Sequence, residues 1–225
     1  MTLSISKSGA ACGAEISFDL SKEVNDVVFR EIEYAFHDNI VVCFRGQQLS
    51  NERHIQFSRR FGELEIHVLK KYLLSRYPEI LLISNIKDEN GENIGLADAG
   101  FTWHTDVSYL KRPSRCSLLY AKEVPSRDGV TLGDTLFANT RAAYEALPSS
   151  MKSRLAGLKA IHRYSERKRV ANSLRPNLTK QVLDETPDVS HPLSELTPGP
   201  GKNLSLSPLV NALELRAYQA TRASP

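Results

Sequence analysis

The stretch Gly100-Phe-Thr-Trp-His-Thr-Asp-Val-Ser-Tyr109 holds His104 and Asp106 one residue apart. On an extended strand side chains alternate with period two, so an imidazole and a carboxylate at this spacing project from one face. They supply two members of a two-histidine, one-carboxylate facial set, which holds non-haem Fe(II) and leaves positions open for other ligands. By spacing alone a plainer description also fits, a strand-end histidine hydrogen-bonded to a nearby carboxylate. Trp103, next to the pair, reads as a core aromatic packed beside it.

Outward from that stretch, composition narrows the class. With 225 residues the chain is long enough for one domain, or one domain with a small appendage. Its 41% hydrophobic and 24% charged content is ordinary for a globular protein. A net charge of +3, with no basic tract interleaved with aromatics, argues against nucleic acid as a partner. The densest basic stretch, Arg163 to Arg169, reads as a solvated helix end or loop. Cys12, Cys43 and Cys116 are scattered, which suits reduced thiols in the cytoplasm and offers no zinc framework. No basic segment followed by an apolar core opens the chain, and no apolar run is long enough to span a bilayer.

Coarse patterning mixes short strands with helices. Residues 12–20 alternate weakly, as a strand would. Ser21 is placed to cap a helix to Asp38, with Val24, Val27, Val28, Ile32, Ala35 and Phe36 at helical spacing. Ile40 to Phe44 reads as a buried strand, and Ser50 caps a second helix ending at Gly62. Ile80 to Ser84 and Ser117 to Ala121 are further strands, and Asp128-Gly129 is a turn. Thr140 is expected to cap a helix to Leu147, and Pro148 to open another to Leu158. The glycine-bearing loop 87–100 precedes the metal pair directly, a common position for segments that cover a site. This mixture predicts an α+β, β-rich fold and not a doubly wound parallel sheet.

Several blocks recur in one order: Gly13-Ala-Glu-Ile-Ser17, Val41-Val-Cys-Phe-Arg-Gly-Gln-Gln48, Arg60-Phe-Gly-Glu-Leu64 with Ile66-His67, and Trp103-His-Thr-Asp-Val-Ser108. Ala121-Lys-Glu-Val-Pro125, Gly133-Asp-Thr-Leu136 and Ala142-Ala-Tyr-Glu-Ala-Leu147 follow. Together they resemble the taurine dioxygenase-like (TauD/TfdA-type) family of Fe(II)/2-oxoglutarate-dependent oxygenases, over about residues 1–192. The resemblance implies a double-stranded β-helix, a cupin-like jelly roll, with flanking helices. It implies Fe(II) as metal, 2-oxoglutarate as co-substrate, and O2-dependent hydroxylation of a small anionic substrate, a sulfonate or carboxylate. His104 and Asp106 resemble the first two iron ligands. Thr135 resembles the residue that hydrogen-bonds a carboxylate of 2-oxoglutarate, although a plain strand threonine would look the same. His67 resembles the histidine that contacts the substrate's anionic group, and an ordinary core or surface histidine is the equal alternative. Gly100 and Lys70 depart from the taurine enzyme's Asn and Tyr. Lys70 or Lys71 could meet an anion as a point charge, or form a solvated pair.

The tail departs further. After Asp106 the only histidines are His162 and His191, and neither stands in the Trp-Asp-x-Arg-like context of the family's third ligand. The later Arg expected to pair with 2-oxoglutarate is also missing. From Pro187 onward Pro, Gly, Ser and Leu dominate without an amphipathic period. Codons for Ser194-Glu-Leu-Thr-Pro198, shifted back by one base, permit Val-Arg-Thr-His-Pro, the run the family shows here. Continued through Gly199-Pro-Gly-Lys202, the same shift permits Gly-Thr-Gly-Lys. Residues 1–192 are therefore expected to form an incomplete dioxygenase domain lacking the distal barrel, and 193–225 an aberrant or disordered tail. The chain is expected to be a catalytically incomplete enzyme of the cytoplasm, with self-assembly left open. The alternatives are a non-catalytic, oligomer-forming remnant of the same fold, and a zinc site on the same pair.

Overall fold

A computed structural model describes residues 3–97, 99–100, 103–164, 178–196, 204–206 and 211–217. Phe101 and Thr102, most of the Arg163–Arg169 stretch, and Gly199–Lys202 lie outside the described residues.

The main sheet is built from β1 (Ser4–Lys7), β2 (Ala14–Ser17), β3 (Val41–Gln47), β6 (Cys116–Ala121) and β13 (Asn211–Ala217). Its five strands run in the order β1-β2-β3-β13-β6. β1 and β2 are antiparallel, whereas β2–β3, β3–β13 and β13–β6 are parallel. The mixed α and β character matches expectation. The run of parallel neighbours does not, and among the described residues the strands form an open sheet and four two-stranded ladders.

The first helix, α1 (Asp26–Asn39), makes the crossover from β2 to β3. Its cap is Asn25, not Ser21: the Asn25 side chain accepts from the Val27 and Val28 amides. Ser21 is held instead in a turn by Asp19, which accepts from its amide and its hydroxyl. The helix closes on Ile40, a β-branched residue at φ 69°, whose amide donates to the Phe36 carbonyl at 2.7 Å. α2 (Asn51–Arg59) is capped by Ser50 as expected.

The inward faces of both helices meet the sheet in one core. Ile32, Phe36, Val42 and Phe44 are fully buried, and Phe57 nearly so. Phe36 and Phe57 each meet Phe61 edge-on, with ring centroids 5.9 and 5.6 Å apart. Two arginines fasten the segment that leads into α1. Arg53 donates to the Leu20 carbonyl at 2.7 Å, and Arg60 donates to the Val24 carbonyl at 2.7 Å while covering the Phe29 ring. Buried Gln47 is fully engaged, accepting from the Leu20 amide and donating to the Phe18 and Arg45 carbonyls.

β4 (Leu73–Leu74) and β5 (Tyr77–Leu81) form a small ladder, so the strand expected at 80–84 begins and ends earlier. Past Leu81 the Leu96 amide donates to the Leu82 carbonyl at 2.8 Å, and Gly95 lies so close that a Cβ there would sit 2.8 Å from the Ser84 nitrogen. β7 (Ser126–Arg127) and β8 (Val130–Thr131) form a hairpin around the turn predicted at Asp128-Gly129, both turn residues having positive φ. α3 (Thr140–Glu145) is capped by Asn139 rather than Thr140, and α4 (Ser149–Leu155) follows Pro148.

β9 (Lys159–His162) pairs with β10 (Val189–Pro192), and α5 (Lys180–Glu185) stands between them in sequence. The tail, expected to be aberrant or disordered, contributes β11 (Ser194–Leu196), paired with β12 (Leu204–Leu206). It also contributes β13, which sits between β3 and β6. No helix among the described residues is long and apolar enough to cross a membrane.

Candidate metal centre

His104 and Asp106 do not lie on a strand. Residues 103–105 are irregular and Asp106 opens a turn that continues through Val107 at φ 46°. The Leu110 amide closes that turn onto the Val107 carbonyl at 2.9 Å. The two side chains meet nonetheless: His104 Nε2 faces Asp106 Oδ1 across 3.2 Å, each side chain about half exposed. The contact is therefore made from an irregular segment and a turn, without strand alternation.

The second carboxylate oxygen is held from the sheet, where the Ser117 hydroxyl donates to Asp106 Oδ2 at 2.6 Å. The imidazole of His104 holds the Asp106 carboxyl below its ordinary range, against the effect of burial, with the Ser117 hydroxyl adding to the shift. The charge of His67 acts in the same direction, so His67 lies within electrostatic reach of the pair. His67 itself is half-buried, and its Nδ1 accepts from the Leu69 amide at 3.1 Å.

The separation of the pair suits a metal. Two cis ligands, each about 2.1 Å from one cation, stand about 3.0 Å apart, close to the observed 3.2 Å. An imidazole nitrogen and a carboxylate oxygen are also a donor set that Fe(II) accepts. The described residues contain no group of three His, Cys, Asp or Glu side chains placed together to hold a metal ion.

Thr135 is exposed on the irregular stretch 132–139, after the β7–β8 hairpin. Trp103 is 71% exposed rather than packed as core, because the 103–110 segment lies off the sheet. Lys71 pairs with Glu92 at 2.5 Å and Lys70 with Glu185 at 3.8 Å, in keeping with solvated lysines. His191 is buried, its Nε2 3.0 Å from the Leu110 carbonyl and its ring 5.2 Å from that of His162. Patterning overlooked Ser117. Its one signal was a hydroxyl near the start of the predicted strand that follows the His-x-Asp turn.

Residues 4–220 match the family described as "Taurine catabolism dioxygenase TauD, TfdA family". The chain belongs to the TauD/TfdA family. The match runs past the boundary expected at residue 192. Among curated relatives, the chain is 40% identical over 157 residues to pentalenolactone F synthase of Streptomyces avermitilis, covering 68% of this chain and 50% of that one. It is 36% identical over 161 residues to the alpha-ketoglutarate-dependent 2,4-dichlorophenoxyacetate dioxygenase of Cupriavidus pinatubonensis, covering 68% of this chain and 54% of that one. The chain thus spans about half the length of these TauD/TfdA relatives. A solved taurine dioxygenase from Burkholderia xenovorans shares the fold at a TM-score of 0.60 and 22% identity, covering 92% of this chain and 64% of that one.

Proposed function

We propose that this chain carries the metal-binding portion of an Fe(II)- and 2-oxoglutarate-dependent dioxygenase of the cytoplasm that hydroxylates a small anionic substrate. The observation that carries the reading is the convergence of His104 Nε2 and Asp106 Oδ1 at 3.2 Å within a family member. His104 and Asp106 would hold Fe(II). Bound there, iron with 2-oxoglutarate and O2 supplies the oxidising power for C–H hydroxylation, releasing succinate and CO2. His67 would contact the substrate's carboxylate or sulfonate, and Thr135 would donate its hydroxyl to a carboxylate of 2-oxoglutarate. A relative named for 2,4-dichlorophenoxyacetate, itself a carboxylate, supports the anionic substrate class.

The jelly-roll architecture with its distal part missing belongs to the same proposal, as does catalytic incompleteness. Neither His162 nor His191 has the context of the third ligand, and the Leu110 carbonyl already engages His191. Residues 193–225 are proposed as an altered ending produced by a single-base deletion near codon 194. Sequencing the coding DNA tests this: an adjacent frame running on into a Trp-Asp-x-Arg-like strand supports it, and a confirmed frame with no such segment refutes it.

Anaerobic calorimetry tests the co-substrate. The chain should take up 2-oxoglutarate only in the presence of Fe(II), and His104→Ala should abolish that uptake. Fe(II)-independent uptake, or none, contradicts the assignment. Succinate release by the chain alone would overturn its incompleteness.

A further inference from the structure

We propose that Ser117 is a positioning residue for the carboxylate of Asp106, fixing which of its two oxygens meets a metal. The inference rests on the reading of His104 and Asp106 as ligands and goes beyond it to a residue no part of that reading uses.

The two oxygens of Asp106 have different partners. Oδ2 accepts the Ser117 hydroxyl at 2.6 Å, whereas Oδ1 faces His104 Nε2 at 3.2 Å. An O–H···O⁻ bond of that length is charge-assisted and among the stronger hydrogen bonds a carboxylate makes. The carboxylate torsion of an aspartate is otherwise broad and roughly two-fold, so nothing intrinsic to Asp106 selects one oxygen. Its backbone does not fix it either: Asp106 stands in an irregular turn beside left-handed Val107.

Ser117 comes from a stiffer place. It is the second residue of β6, and its backbone lies in register with Ala212 of β13. The hydroxyl therefore refers the carboxylate to the main sheet. With Oδ2 committed to it, a cation beside His104 meets Oδ1 alone. One-oxygen coordination keeps a position open that two-oxygen coordination would close, and open positions are what a co-substrate and O2 need. Groups that hold metal ligands from behind commonly change metal affinity by about 10–100-fold when removed.

The test uses the whole chain without iron and Co(II) as the probe, titrated anaerobically and followed by calorimetry and by the visible ligand-field bands. Ser117→Ala is expected to weaken Co(II) binding by about 10–100-fold and to shift the bands, as the carboxylate turns or takes up the metal through both oxygens. Ser117→Thr, which keeps the hydroxyl, is expected to restore affinity and spectrum. Thermal unfolding of the metal-free variants guards against simple misfolding. If His104→Ala abolishes binding while Ser117→Ala leaves affinity and bands unchanged, Ser117 has no positioning role. If His104→Ala binds Co(II) as the unaltered chain does, the pair is not the metal site and both readings fall together.

Discussion

The Tyr120 hydroxyl donates to the Gln47 carbonyl at 3.1 Å and so fastens the far end of β6 to the end of β3. The same oxygen accepts from the Leu49 amide at 3.0 Å. Ser117, three positions earlier on β6, holds Asp106. One strand therefore connects the core to the candidate centre. Tyr120→Phe removes one hydroxyl and leaves an amide and a carbonyl without it. We expect a loss of about 1–3 kcal/mol, read as a lower urea midpoint with an unchanged slope.

The aromatic core should be more sensitive still. Phe36 is fully buried and meets Phe61 edge-on. Phe36→Ala should cost about 3–5 kcal/mol through lost transfer energy and a residual cavity. Chemical denaturation against the unaltered chain measures it, and a loss under about 1 kcal/mol would mean that this core is not packed as described.

Acid should weaken the fold before its carboxylates protonate. Burial lowers the affinity of His54 for a proton, and the charge of Lys122 acts the same way, while a hydrogen bond to the Leu118 backbone opposes them. His37 and His162 are also lowered, chiefly by burial. A lowered histidine binds fewer protons folded than unfolded, so stability rises with pH through the window between its folded value and about 6.5. It is fully present above that window and lost as pH falls through it. Asp106 is lowered as well, but its contribution fades only below about pH 4. Denaturation midpoints between pH 7 and 5 should fall with acid, and His54→Gln should flatten the trend.

Burial pushes the Cys116 thiol up to about 11, despite the opposing charge of Arg115. At pH 8 roughly one molecule in a thousand then carries the thiolate. Iodoacetamide should label Cys116 far more slowly than an exposed thiol, and mass spectrometry of the digest reports the rate. Rapid labelling of the folded chain would show the strand edge to be open.

Much of this was legible from residues. Ser50 announced its helix because Ser at an N-cap has a definite bonding role, and Asp-Gly announced its turn through its tolerance of positive φ. Competition between neighbouring caps was not legible: Asn25 and Asn139 took positions that Ser21 and Thr140 were expected to hold. The His104–Asp106 contact was anticipated, but on a strand. Nothing in a β-branched residue such as Val107 advertises a left-handed turn. Ser117 and β13 illustrate the remaining gap. Both act across long sequence separations, the first eleven residues from Asp106 and the second between strands at 41–47 and 116–121. Local pattern does not encode such partners.

The most direct test of the account is anaerobic equilibrium dialysis of Fe(II) against the unaltered chain, His104→Ala and Asp106→Ala. The account predicts one Fe(II) per unaltered chain, and at least tenfold weaker binding in each variant while thermal unfolding stays near that of the unaltered chain. Equal Fe(II) uptake by all three would contradict it, because the metal would then be held by residues other than His104 and Asp106.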